Sequence, residues 1–431
     1  MRILVCDDEK ARHDDVLAHL EHSGDANIEV VSLISEDLTT ALGQLFDRVK
    51  TCLANPDSFS PGDDLVFDTV DLAIFDNNLS HLDIKGTRLT GESVVGYVRC
   101  FSKVPYVVSL NKNSDVDFDL RFLVGDYETK ADLALNTDHL ANAGLWSGSA
   151  DDSEGAFRPW YWPALSTESA RRREQIAFVR DRLNQPVLAA LGFPTDEESL
   201  GFLSRHAKGA LSPEATANDG DDGKPIADIT FRDVFMAGSR SLPAKEDERK
   251  KLDAGSNSGN REIDELMARV VAADIDRWFR RDVLGPQEML VDIPHLLIRM
   301  PFLLGKRAKE IAEWNAGLAV PEAPFGLEAD LFQQHVASAG FAHRMWVPTP
   351  AFWWPVLKRN DQLGELFFAE TEPGWADAVF CEDTSVFAER SANGGAVEPV
   401  EFTAEFEGSW ARRHIAKLAG LQYAPRSRFA V

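Results

Sequence analysis

The sequence predicts an α/β fold: a doubly wound, parallel five-stranded sheet at the N-terminus, then a mixed, mainly helical α+β region. Three observations predict it. Short apolar runs alternate with stretches of helical period through the first third of the chain. Acidic and hydroxyl residues stand at the ends of several of those runs, where an open parallel sheet collects its ligand-binding groups. Composition then shifts: all ten tryptophans lie from Trp146 onward, and only Pro56, Pro61 and Pro105 of the 21 prolines precede it. The domains are therefore expected at 1–145 and 146–431, divided inside the small, polar stretch 141–157.

In order along the chain, Arg2 to Cys6 is a buried-type strand, and residues 11–22 carry Val16, Leu17 and Leu20 at helical spacing. Asn27 to Ile34 is β-branched and apolar. Leu38 to Leu53 has helical period through Leu42, Leu45, Phe46 and Val49. Val70 to Phe75 reads as a third strand, Glu92 to Phe101 as a helix, Val104 to Leu110 as a fourth strand and Phe122 to Gly125 as a short fifth. Farther on, Thr167 to Leu191 reads as a helix broken by Pro186, and Arg261 to Leu284 as a helix ended by Gly285-Pro286. Residues 208–228 and 253–260 are small, acidic and Gly-rich, and read as flexible loops. Residues 287–315 have helical period interrupted by Pro294 and Pro301, and Leu327 to Phe341 reads as a further helix. Short strands are expected after residue 345, with a last helix over Ser409 to Gly420.

With 45 basic and 70 acidic residues, the chain carries a formal charge of -25. That argues against a nucleic-acid or anionic-membrane partner, since both call for clustered positive charge. The longest apolar run, His295 to Leu304, is short for a membrane span and contains Arg299. The acidic start is unlike a signal peptide. Cys6, Cys52, Cys100 and Cys381 form no paired motif, so a reduced, cytoplasmic protein is expected.

Asp7 and Asp8 follow the first strand, Asp76 ends the third, Ser109 ends the fourth, and Lys130 is expected just past the fifth. Three carboxylates at one sheet edge need a cation, and an all-oxygen ligand set favours Mg²⁺. A lysine and a hydroxyl at the same edge would neutralise and orient a phosphoryl group, and one carboxylate would be free to act as its acceptor.

The segments RILVCDDE, DLAIFDNNL, PYVVSLN and DYETKA, in this order over residues 1–145, resemble the receiver domain of two-component response regulators. The resemblance implies a flavodoxin-like receiver. It makes Asp76 the phosphoacceptor, with Mg²⁺ held by Asp7, Asp8, Asp76 and the carbonyl of Asn78. Ser109 would be the switch hydroxyl, Lys130 the phosphate-binding lysine and Tyr127 the switch aromatic. It also implies a sensor histidine kinase or phosphotransfer protein as donor, and residues 146–431 as the output domain, with self-association into a homodimer as one response. Enzymatic chemistry would be confined to the receiver's own phosphorylation and dephosphorylation. Ala131 stands where the family has proline, and the loops around 54–69 and after Asp76 are long. A haloacid-dehalogenase-like phosphatase would want an acid where Asn78 stands.

The output region offers weaker signals. His335 and His343 are eight residues apart, which suits satisfied structural histidines better than metal ligands. Cys381 reads as a buried thiol and Met345 to Trp354 as core. The clusters Arg171 to Arg173 and Arg277 to Arg281 read as solvated helix faces, because acids flank them. Two output types stay open, a binding or signalling module and a phosphorylation-gated hydrolase, with a transcription regulator third.

Overall fold

The structure is a computed structural model. It describes residues 1–21, 28–54, 65–79, 81–84, 87–111, 129–136, 162–211, 224–238, 261–318, 332–360, 363, 376–382, 384–390, 398–400 and 413–415.

The N-terminal part is an α/β unit. Five strands, β1 (Arg2–Asp7), β2 (Glu29–Ile34), β3 (Leu72–Asp76), β4 (Tyr106–Asn111) and β5 (Leu133–Asn136), form one all-parallel sheet in the order β2-β1-β3-β4-β5. The central strands are buried on both faces, so they read as continuous apolar runs and not as alternating ones. Helix α2 (Ser35–Ala54) turns Leu38, Leu42, Leu45 and Val49 toward the sheet. There they meet Leu4, Cys6, Ala73, Phe75 and Val107, together with Val94, Val95 and Val98 of α3 (Gly91–Phe101). The alternate sheet residues Ile3, Val5, Leu72, Ile74, Tyr106 and Val108 face the other way and are also buried. Helix α1 (Lys10–Glu21) packs on β1, and α4 (Trp162–Arg180) packs on β4.

The second part is built around α4 and α5 (Arg261–Trp278), whose last turn widens into a π-turn over Phe279–Val283. Phe193, Phe231, Trp278, Phe279 and Trp346 fill the core between them. A second core, with Leu296, Leu303, Trp314, Phe352, Phe380 and Phe387, lies under two small sheets. One pairs Leu290–Asp292 with Ala351–Trp353. The other has four strands, Val386–Glu389, Ala378–Cys381, Arg413–Ile415 and Glu398–Val400 in spatial order. Among the described residues, no helix is long and apolar enough to cross a membrane.

Several expectations change. The fifth strand is Leu133–Asn136, so Lys130 precedes it and does not follow it. Residues 122–125, Tyr127, the expected boundary stretch 141–157 and the loop 253–260 lie outside the described residues, as does most of 208–228. The helix expected to reach Leu191 stops at Arg180, and Pro186 caps a separate short helix, Val187–Ala190. Leu290–Asp292 is a strand inside the stretch read as helical; of the helix read over Leu327 to Phe341, residues 327–331 lie outside the described residues, and the described part forms a π-turn, Phe332–Val336, and a 3-10 turn, Ala337–Ala339. Arg413–Ile415, read as part of a helix, is a strand, because pairing with Ala378–Cys381 and Glu398–Val400 overrides local preference.

The largest correction concerns the basic clusters. Arg171 and Arg172 are buried, and with Arg280 they belong to a chain of charges that joins the two parts. Arg99, near the end of α3, reaches the Asp132 carboxylate at 2.6 Å. Asp132 also accepts the Val107 N–H at 2.8 Å and pairs with Arg172 of α4 at 2.9 Å. Arg172 continues to Asp276 of α5 at 3.0 Å, which Gln175 and Arg280 also hold at 2.8 and 2.6 Å. Arg280 and Arg171 both pair with Glu168. Around this ladder, Ser169 donates to the Asp71 carbonyl, Arg173 pairs with the Asp71 carboxylate, and Arg269 of α5 donates to the Ser102 carbonyl. Asp71, Ser102 and Asp132 precede β3, β4 and β5, so the second part grips the edge where those strands begin.

Burial alone would raise the Asp132 carboxyl, but Arg172 and Arg99 bring it below its usual range. Arg280 and Arg172 do the same for Asp276. Breaking such a buried pair leaves a charge uncompensated. Arg172→Met should therefore cost about 3–5 kcal/mol in denaturant unfolding, against about 0–1 kcal/mol for Arg180→Ala, whose pair with Glu265 is more exposed. A carboxyl with a depressed folded pKa stabilises above its unfolded value of about 3.9 and loses that contribution as pH falls through the folded value. The stability gap between wild type and Asp276→Asn should thus be full at pH 7 and narrow below about pH 4. A gap constant down to pH 2 would contradict the charged ladder.

Candidate metal centre

The site is assembled by three strand ends. Asp7 is the last residue of β1 and Asp8 follows it; Asp76 is the last residue of β3. Cys6 and Phe75 are in register on adjacent strands, which brings the acids after them to one rim of the sheet. One carboxylate oxygen from each of Asp7, Asp8 and Asp76 lies within 4.8 Å of the others, and all three residues are buried.

The backbone around them is held in place. The Glu9 N–H donates to Asp7 Oδ1 at 2.9 Å, the His81 N–H to Asp8 Oδ2 at 3.2 Å, and Ser35 Oγ to the Asp8 carbonyl at 2.9 Å. Gly91 opens α3 hard against the end of β3. A Cβ there would stand 2.3 Å from the Asp76 carbonyl oxygen and 2.6 Å from the Asn77 Cα. Only glycine fits, through close approach and not through a left-handed backbone. Its N–H donates to the Asn77 carbonyl at 2.9 Å.

Like charges at this spacing repel by roughly 3 kcal/mol per pair at an effective dielectric of about 20. Burial, then Asp7, raises the Asp8 carboxyl against the lowering effect of the His81 N–H. Asp8 Oδ1 is buried without a hydrogen-bond partner. Three hard oxygen donors and an unsatisfied buried carboxylate oxygen fit a divalent cation of the Mg²⁺ or Ca²⁺ type.

The remaining expected residues stand differently. Asn78 is half-buried on the loop leaving β3, two residues past Asp76. Ser109 is in register with Phe75, and Leu110 with Asp76. In-register neighbours point to the same face, so Ser109 shares the side of Phe75 and Leu110 stands beside Asp76. Lys130 is exposed ahead of β5, with its N–H bound to Glu92 of α3 and its carbonyl to Arg99. Sequence reasoning missed Ser35, the His81 N–H and Gly91. Of these, the glycine just before the helix read from Glu92 was the one visible signal.

In the second part, His335 lies 3.4 Å from Asn360, and His343 packs on Phe178 and Phe341. Cys381 and Trp346 are buried. Asp292 accepts from His295 Nδ1 at 2.6 Å while capping the helix Ile293–Arg299, so that contact is accounted for by the cap.

No family model, curated protein or solved structure matches this chain.

Mg²⁺ titrated calorimetrically should bind at one site per chain, and Asp76→Asn or Asp8→Asn should weaken it at least about tenfold (1.4 kcal/mol). In metal-free buffer the same variants should melt above wild type, because each removes a repelling charge. Variants that melt lower without metal and bind as before would mean the acids serve another purpose.

Proposed function

We propose that the N-terminal part is a phosphoacceptor domain of the response-regulator type, and that residues 146–431 are the effector it controls. The supporting observation is the convergence of Asp7, Asp8 and Asp76 at the C-terminal rim of a parallel sheet ordered 2-1-3-4-5. That order is the flavodoxin-like one, and its ligands bind at this rim. The reading takes Mg²⁺ as the cation, held by Asp7, Asp8, Asp76 and the carbonyl of Asn78. Bound there, it would neutralise phosphoryl oxygens and lower the mutual repulsion of the acids.

Asp76 supplies the nucleophile. A carboxylate oxygen attacks the phosphorus of a phosphohistidine on a sensor kinase or phosphotransfer protein. The new O–P bond replaces the P–N bond, and the leaving imidazole takes up a proton. Hydrolysis of the aspartyl phosphate by water returns the carboxylate and inorganic phosphate. Ser109 and Lys130 belong to the family pattern, but Ser109 is in register with Phe75 and Lys130 precedes β5, so the reading gives them no part in holding the phosphoryl group.

A second reading has two observations in its favour. Leu110 beside Asp76, and Lys130 ahead of β5, suit a cation-binding domain that accepts no phosphoryl group.

Incubation with Mg²⁺ and labelled acetyl phosphate separates the two. The first reading expects acid-labile, base-sensitive label on wild type and none on Asp76→Asn. Ser109→Ala and Lys130→Ala should each keep the labelling rate within about threefold, under 1 kcal/mol of barrier. Mg²⁺ binding without label, even from a phosphohistidine donor, would leave the cation-binding reading standing. Label persisting on Asp76→Asn would remove Asp76 as acceptor.

A further inference from the structure

Helix α3 touches both the acid cluster and the charge ladder. Its first residue, Gly91, packs without clearance on the Asp76 carbonyl and donates to the Asn77 carbonyl at 2.9 Å. Its second, Glu92, accepts from Thr129 Oγ1 at 2.5 Å and from the Lys130 N–H at 3.0 Å. Its last turns are bound at the far edge of the sheet. Arg99 holds Asp132, the Lys130 carbonyl and the Pro105 carbonyl. Arg48 donates to the Phe101 carbonyl, and Arg269 of α5 donates to the carbonyl of the C-capping Ser102. Helix α3 also packs against α5.

We infer that α3 is a rigid coupling rod: occupancy of the acid cluster at its first turn is transmitted through Glu92 and Arg99 to the Asp132–Arg172–Asp276 ladder that docks the second part. The inference rests on the cation site proposed above and adds the route by which that site acts on residues 162 onward. A helix is stiff along its axis, and a contact with no clearance at Gly91 converts a small movement of the β3 end into a movement of the whole element. At the other end, alternating buried charges tolerate few arrangements, so displacement of Arg99 must be answered by Asp132 and Arg172. The route bypasses Ser109, which lies on the other side of the pleat from Asp76.

The chain carries its own reporter. Every tryptophan lies from Trp146 onward, so none belongs to the part that holds the acids. Trp278 ends α5, next to Phe279 and Arg280. Trp346 follows Met345, whose carbonyl Gln175 binds from within the ladder. Mg²⁺ binding that stays local should leave tryptophan emission unchanged.

The full chain should be titrated with Mg²⁺ by calorimetry and by tryptophan fluorescence in parallel. The inference expects one midpoint in both, and both signals lost in Asp76→Asn. Glu92→Ala cuts the tie to Thr129 and Lys130 without opening the core. It should keep calorimetric binding within about threefold and lose at least about half of the fluorescence change. Arg99→Lys, which keeps the charge but loses the fork, should behave the same way. Calorimetric binding with unchanged emission in wild type would overturn the coupling and leave the cation site standing. Equal emission changes in wild type and Glu92→Ala would overturn the route through α3. Absence of calorimetric binding would sink the cation site and this inference together.

Discussion

A buried ladder of alternating charges, Arg99–Asp132–Arg172–Asp276–Arg280–Glu168–Arg171, is what the architecture depends on. Each carboxylate sits between two guanidinium groups, and the arginine fork suits such bridging better than a lysine point charge would. Without the ladder, the N-terminal sheet would leave Tyr106 and the strand entrances of β4 and β5 open to water. With it, α4 and α5 are held at a defined angle against a sheet that their own sequence neighbours do not complete. Ionic contacts of this kind contribute little net stability when desolvation is counted, but they permit few alternative docking arrangements.

The two edges of the sheet carry opposite electrostatic designs. Where β3, β4 and β5 begin, acids and arginines alternate and satisfy each other. Where β1 and β3 end, three acids face one another, and burial raises Asp8. The first arrangement is complete within the chain. The second could hold a cation, and the surrounding fold keeps its acids together, with Ser35, the His81 N–H and Gly91 holding the backbone in place. Helix α3 is the element that spans both edges, one end fixed by close packing and the other by charge.

Legibility of the sequence followed the range of the interactions. β1, α2, β3, α3 and β4 were readable because their apolar spacing is local and strong; Val94, Val95 and Val98, for instance, declare one helical face. The acids at 7, 8 and 76 were readable because the ends of parallel strands share a rim by topology alone. β5 went unread because Leu133 to Leu135 is a run of only three apolar residues, too short to stand out by local spacing. Ser109 was placed at the rim on strand position, whereas the pleat decides which way a residue points, and a shift of one residue reverses it. The arginine clusters were misread because the acids nearby in sequence, Glu168 and Asp276 among them, resemble solvated pairing, whereas Arg172 and Arg280 also reach acids about 40 to 110 residues away, and those contacts bury the pairs.

Local periodicity and chain topology thus determined, from the sequence alone, an N-terminal α/β unit with a convergent acidic rim and a tryptophan-rich second part. Tertiary structure alone decided the register that sets Leu110 beside Asp76, the placement of Lys130 ahead of the last strand, and the burial of arginines that look exposed. The reason is physical: hydrophobic spacing is written along one element at a time. Side-chain direction across neighbouring strands, and the pairing of charges from separate elements, exist only once those elements are packed together.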